Sequence, residues 1–131
     1  VPVIEIGRWE LADGDACGAM NARRAFRALV RGLAISPSDV DGAELIFGEL
    51  AANGVEHGAG RMTLVLGHAG GELLLSIHVD GDWIYPVQSA DVPTPSQARG
   101  RGLFFVRSIA RRIEASSDRL THIVLPVTLP A

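Results

Sequence analysis

Apolar and polar positions along the chain change period several times, and each change marks an element. "VPVIEIGRWE", residues 1–10, carries apolar side chains at Val1, Val3, Ile4 and Ile6 and reads as a first strand. "DGD" at 13–15 signals a turn or a helix start. "ACGAMNARRAFRALVRGLA", 16–34, then places Ala16, Met20, Phe26, Leu29, Val30 and Leu33 at helical spacing. "ISPSDVDG" breaks that pattern, and Ser38 or Asp39 can cap a second helix over about 39–57, closed by Gly58 and Gly60. "RMTLVLGH" and "GELLLSIHV" flank "AGG" and predict a β-hairpin. "IYPVQSADVPTPSQARG" holds three prolines among small polar residues and predicts a long loop over about 84–99. "LFFVRSIARRI", 103–113, reads as a third helix opening after "GRG". A turn at Ser117–Asp118 and a last strand over roughly 121–129 follow, so the order closes on a strand or a strand pair.

Helices before and after a hairpin predict an α+β fold. The expected form is a two-layer sandwich, a mixed, mostly antiparallel sheet with helices on one face. No internal repeat, low-complexity tract or coiled-coil heptad interrupts it. A chain of 131 residues makes one domain with a proper core, so residues 1–131 are read as a single domain.

Composition narrows the function classes. A net charge of −3 gives no support to direct nucleic-acid binding. The single cysteine, Cys17, forbids an intramolecular disulfide and fits a reducing, cytoplasmic setting. No apolar run approaches the roughly 20 residues of a membrane span, and the first ten residues lack the features of a signal peptide. A start at Val1 in place of Met suggests a trimmed chain or a domain of something longer. Arg23, Arg24, Arg27 and Arg31 fall on and beside one helix face, which reads as a solvated surface or a partner-binding one.

The chemistry concentrates in two stretches. "ELAANGVEHG", Glu49–Gly58, follows the apolar "AELIF". On a helix Glu49 and Asn53 are one turn apart on one face, with Glu56 and His57 in the same arc. A carboxylate there can act as a general base. An amide oxygen suits a Mg²⁺ ion that keeps most of its waters. The same residues also fit the wet side of an ordinary amphipathic helix. In "ARGRGLFF", Gly100 and Gly102 let the backbone approach an anion. The helix beginning near Leu103 points free N–H groups at the same place, and Arg99 and Arg101 add charge. Glycines before a helix also occur as plain turns. His68, His78 and His122 lack metal-ligand spacing, and no serine sits in a nucleophile elbow.

Taken in order, "ELIFGELAANGVEHG", a hairpin, "VDGDW", a loop and "GRGLFFVRSIA" resemble the GHKL, or histidine kinase-like, ATPase superfamily. More closely, they resemble the bacterial anti-sigma-factor protein serine kinases, over nearly the whole chain. Glu49-Leu50-x-x-Asn53-x-x-x-His57-Gly58 is the most specific part. The resemblance implies ATP and Mg²⁺ as cofactors, Glu49 as catalytic base and Asn53 as Mg²⁺ ligand. It implies nucleotide contacts from His57, Asp80, Gly81 and the phosphate-holding stretch Gly100-Arg101-Gly102-Leu103, with an ATP lid at about 84–99. The partners it implies are an anti-anti-sigma (STAS-type) protein, a sigma factor and, since the resembling kinases are commonly dimers, a second copy of the chain.

The middle box departs from the family's Asp-x-Gly-x-Gly, whose Asp bonds the adenine amino group. If Asp80 is that Asp, both glycines are replaced, by Asp82 and Ile84. If Gly81 is the first glycine, Val79 stands at the Asp position and Trp83 at the second glycine. Leu73, Leu75, Ile77 and Val79 are in step, which favours the second alignment. Losing that hydrogen bond costs on the order of 1–3 kcal/mol, about ten- to a hundredfold in affinity. The preferred reading is therefore an ATP-dependent kinase of an anti-anti-sigma serine. The alternative is a degenerate GHKL domain that binds a protein without catalysis. A third reading, the catalytic domain of a sensor histidine kinase, lacks a phosphoacceptor-helix pattern.

Overall fold

The computed structural model describes residues 2–57, 60–80, 101–117 and 120–131. Its elements run β1 (Ile4–Leu11), α1 (Ala16–Leu33), α2 (Val40–His57), β2 (Met62–Ala69), β3 (Glu72–Val79), α3 (Arg101–Ile109), β4 (Arg112–Ser117) and β5 (Leu120–Val124). The strands form one sheet in the order β1-β2-β3-β5-β4, and all four pairings are antiparallel. The α+β architecture expected from the sequence is present, and the described strands contain no parallel pair.

The inner face of the sheet is set by period-two burial. Leu73, Leu75, Ile77 and Val79 of β3 are buried, as are Met62, Leu64 and Leu66 of β2 and Ile123 of β5. Phe26 and Val30 of α1, Ile46, Phe47 and Leu50 of α2 and Val106 of α3 close over them. Phe26 and Phe47 stack with ring centroids 4.5 Å apart, and Trp9 meets each edge-on. The hairpin turn sits where the sequence places it. Gly70 and Gly71 both have positive φ, as a two-residue type I′ connection requires.

Three boundaries differ from the sequence reading: the last strand, expected to run to about 129, ends at Val124, beyond which, among the described residues, only Thr128 bridges, to Ile35. β1 begins at Ile4, and Val3 and Ile4 are more than half exposed. A register shift between Glu5 and Gly7 resets the strand's phase, so its inward anchors are Trp9 and Leu11. The third helix does not reach residue 113. It ends at Ile109, and the Arg111 N–H bonds the Val124 carbonyl (2.9 Å). Pairing with β5 thus overrides a helical apolar pattern that continues in the sequence through Ala110 and Ile113. The C-terminal strands are thus a pair, and β4 begins inside the segment read as helix.

Of the two candidate caps, Asp39 caps α2. Its Oδ1 accepts from the Gly42 N–H (2.8 Å). Ser38 instead accepts from the Thr128 N–H (2.8 Å), which ties the α1–α2 connection to the C-terminal segment. Asp39→Ala is expected to lower unfolding free energy by about 1 kcal/mol, read from the urea midpoint at constant slope.

The arginine stripe divides. Arg23 pairs with Glu44 (3.3 Å), and Arg27 pairs with Glu44 and with Asp41 (2.9 Å). These arginines clamp α1 to α2. Arg24 and Arg31 stay exposed and make no ion pair among the described residues.

Candidate functional site

Helix α2 meets three different neighbours at three glycines. At Gly54 a Cβ would run into the Met62 side chain, so α2 lies tight against the start of β2. At Gly48 a Cβ would run into the Arg23 guanidinium of α1. At Gly42 it would come within 2.8 Å of Ile109, near the end of α3. Since α3 packs along α2 and its last residue reaches the first turn of α2, the two helices run antiparallel. Eight residue steps carry α3 about 12 Å back along α2, to the level of residues 49–53. Its N-terminus, at Arg101, therefore opens beside the second half of α2.

Gly42, Glu49 and Asn53 share one flank of α2, at i, i+7 and i+11. Glu49 and Asn53 are partly buried, between fully buried neighbours such as Leu50 and Ala51. Among the described residues neither side chain makes a hydrogen bond or an ion pair. Glu44, on the same helix and equally half-buried, takes two arginines. A carboxylate and an amide held at a helix margin without partners among the described residues are available for something other than the fold. Glu56 lies on the same arc but is exposed and borders the groove toward α1.

The end of β3 comes to the same region. Gly60, with φ +85, would place a Cβ 3.5 Å from the Asp80 carbonyl oxygen, so the chain leaving α2 passes the end of β3. Val79 is 2% exposed on the inner face and pairs in register with Met62. The Asp80 side chain is 63% exposed, 3.8 Å from His78 Nδ1, and its N–H bonds the Arg61 carbonyl. Asp80 does not join the inward row, and no bulge brings it there. The strand phase read from the sequence holds: Val79 occupies the inward position.

His57, Arg101, Gly102 and Leu103 are placed as helical backbone, at the end of α2 and the start of α3. Gly58, Gly81, Trp83, Gly100 and the 84–99 loop lie outside the described residues. The structure thus brings Glu49, Asn53, the end of β3 and the start of α3 into one neighbourhood.

Sequence reasoning did not identify what sets that neighbourhood's spacing. Gly42, Gly48 and Gly54, six apart in one helix, were the available signal, because glycine inside a helix costs about 1 kcal/mol against alanine unless close packing requires it. No three metal-ligating side chains cluster among the described residues. No helix among them is long and apolar enough to cross a membrane.

A family model described as the histidine kinase-like ATPase domain matches residues 16–126, which takes in the three described helices and the described strands from β2 to β5. No curated protein matches the chain.

Proposed function

Because the chain belongs to the histidine kinase-like ATPase domain family, we propose that it is an ATP- and Mg²⁺-dependent protein serine kinase of the anti-sigma-factor type. Its substrate is a serine on an anti-anti-sigma (STAS-type) partner, its paired activity is capture of a sigma factor, and its setting is the cytoplasm. The observation that carries the catalytic part is the Glu49–Asn53 pair, which has no partner among the described residues, beside the start of α3.

The donor set fits the phosphate end of Mg²⁺·ATP and not the adenine end as the family reads it. An uncharged amide oxygen suits a hard cation that keeps its waters, which assigns Asn53 to Mg²⁺. The helix N-terminus at Arg101–Leu103 offers free N–H groups to phosphate oxygens, with Gly100 before it. His57, Asp80 and Gly81 complete the nucleotide contacts in this reading. The buried Val79 offers no acceptor to an exocyclic amine, so adenine is held by shape and stacking with one polar contact fewer.

Bound Mg²⁺·ATP supplies the phosphoryl group and the charge neutralisation that its transfer needs. The chain's own residues do the rest. Glu49 aligns the serine hydroxyl and takes its proton at a carboxylate oxygen as the oxygen attacks. The α3 N-terminus faces the charge that builds on the phosphate oxygens, a fixed dipole requiring no reorganisation. Asn53→Ala is expected to weaken Mg²⁺-dependent nucleotide binding about tenfold or more and to leave Mg²⁺-free binding unchanged, compared by calorimetry with and without the cation.

Val79 favours a second reading, a domain that keeps the fold and holds a protein without turnover. That form would tolerate Glu49→Gln and Asn53→Ala with partner capture intact. Incubating the chain with Mg²⁺, γ-labelled ATP and a candidate anti-anti-sigma protein separates the two. Label on a partner serine, lost in Glu49→Gln, supports the kinase, and capture without label supports the binding module.

A further inference from the structure

The inner face of the sheet holds one buried polar side chain among the described residues, Thr121, 6% exposed. Thr121 lies opposite Ile77 of β3, which sets it diagonally across from Val79 on the same face. Its hydroxyl makes no hydrogen bond among the described residues. Ser76 and Thr128, both less buried, each find a partner. A hydroxyl withdrawn from water and left without a partner by the fold points to a ligand that completes it. The place agrees. Val79 pairs with Met62, whose side chain lies against Gly54 of α2, the residue after Asn53.

Two side chains therefore bear on a base held at this end of the sheet. Val79 neither donates nor accepts a hydrogen bond, and the Thr121 hydroxyl does both. The neighbouring carboxylate, Asp80, stands off this row, 63% exposed and 3.8 Å from His78 Nδ1. A carboxylate at the inward position would select a 6-aminopurine over a 6-oxopurine on two counts. It would accept from the amine, and it would set its own lone pairs against the carbonyl oxygen of the other base. Valine does neither. A hydroxyl turns to accept from an amine or to donate to a carbonyl, so it serves both bases alike. Strong discrimination belongs to sites built around a hydrogen bond that the wrong ligand leaves unmade, and at Val79 that group is missing.

We propose that this site does not read the 6-substituent of its base, and that 6-oxopurine nucleoside triphosphates bind it as ATP does. The inference rests on the nucleotide reading above and widens its donor from ATP to purine triphosphates as a class.

Calorimetric titration of the unaltered chain with ATP and with inosine triphosphate, each with Mg²⁺, tests it. Inosine triphosphate carries the 6-oxo group and adds no 2-amino group, so the comparison isolates the 6-position. The two dissociation constants should agree within about fivefold. Thr121→Val removes the hydroxyl and keeps the shape. It should weaken both nucleotides by a similar factor, about tenfold, without lowering the melting temperature, because it strands no described partner. Val79→Asp, checked for folding by circular dichroism, should shift the ratio at least about tenfold in favour of ATP. The comparison on the unaltered chain stands without that variant. ATP bound more than about fivefold tighter than inosine triphosphate overturns this inference and leaves the nucleotide reading in place. Binding of neither overturns both. A Thr121→Val chain that melts lower and binds both nucleotides unchanged overturns the role given to Thr121.

Discussion

Glu49→Gln is expected to lower phosphoryl transfer to a protein serine by about 10²- to 10⁴-fold. Binding of Mg²⁺ and nucleotide should stay within a few-fold of the parent. The substitution keeps the shape and polarity of the side chain and removes its ability to accept a proton. It also leaves no group stranded, because Glu49 has no described hydrogen-bond or ion-pair partner. Its effect on stability should therefore fall within about 0.5 kcal/mol. A melting curve and a calorimetric titration run beside the transfer assay separate lost chemistry from lost fold. Full transfer by Glu49→Gln would remove the base from this position.

The second large effect is on the core. Phe47→Ala is expected to destabilise the chain by about 3–5 kcal/mol, a large share of the roughly 5–15 kcal/mol that holds a domain of this size together. Phe47 is fully buried, stacks on Phe26 and takes the edge of Trp9. Its removal deletes an aromatic contact to α1 and one to β1 at once and leaves a cavity that close-packed neighbours fill only in part. Phe105 on α3 is 46% exposed and serves as the comparison. Phe105→Ala should shift the urea midpoint far less. Equal shifts for the two variants would contradict the core described above.

These two residues show how differently fold and site could be read in advance. Phe26 and Val30 carried the helical period of α1, and Leu73 to Val79 carried the strand period of β3, so their burial followed from spacing alone. The inward position of Val79, and with it the changed middle box, was legible for the same reason. Less legible was whatever depends on a neighbour distant in sequence. Ile113 fits the helical pattern of α3, and only the hydrogen bond from Arg111 to Val124 shows that β5 has claimed the segment. The inward turn of Trp9 depends on the irregularity after Glu5, which alternation cannot reveal. Arg23 and Arg27 read as surface because their carboxylates, Asp41 and Glu44, belong to another helix.

The site was legible as a list of groups and not as a place. Glu49 and Asn53 showed their shared flank through helix geometry. Their nearness to the start of α3 depends on where Ile109 meets Gly42, which no local pattern encodes. The absence of described partners for both side chains is a tertiary fact as well. It is what distinguishes them from Glu44, and it is the firmest structural ground for assigning them to a ligand.

Calorimetric titration of the chain with ATP, with and without Mg²⁺, tests the central claim most directly. The account predicts saturable binding that Mg²⁺ tightens, with an affinity about ten- to a hundredfold below that of a domain keeping the adenine-reading carboxylate, and loss of that Mg²⁺ enhancement in Asn53→Ala. No binding at millimolar nucleotide, or binding indifferent to both Mg²⁺ and Asn53, would contradict it.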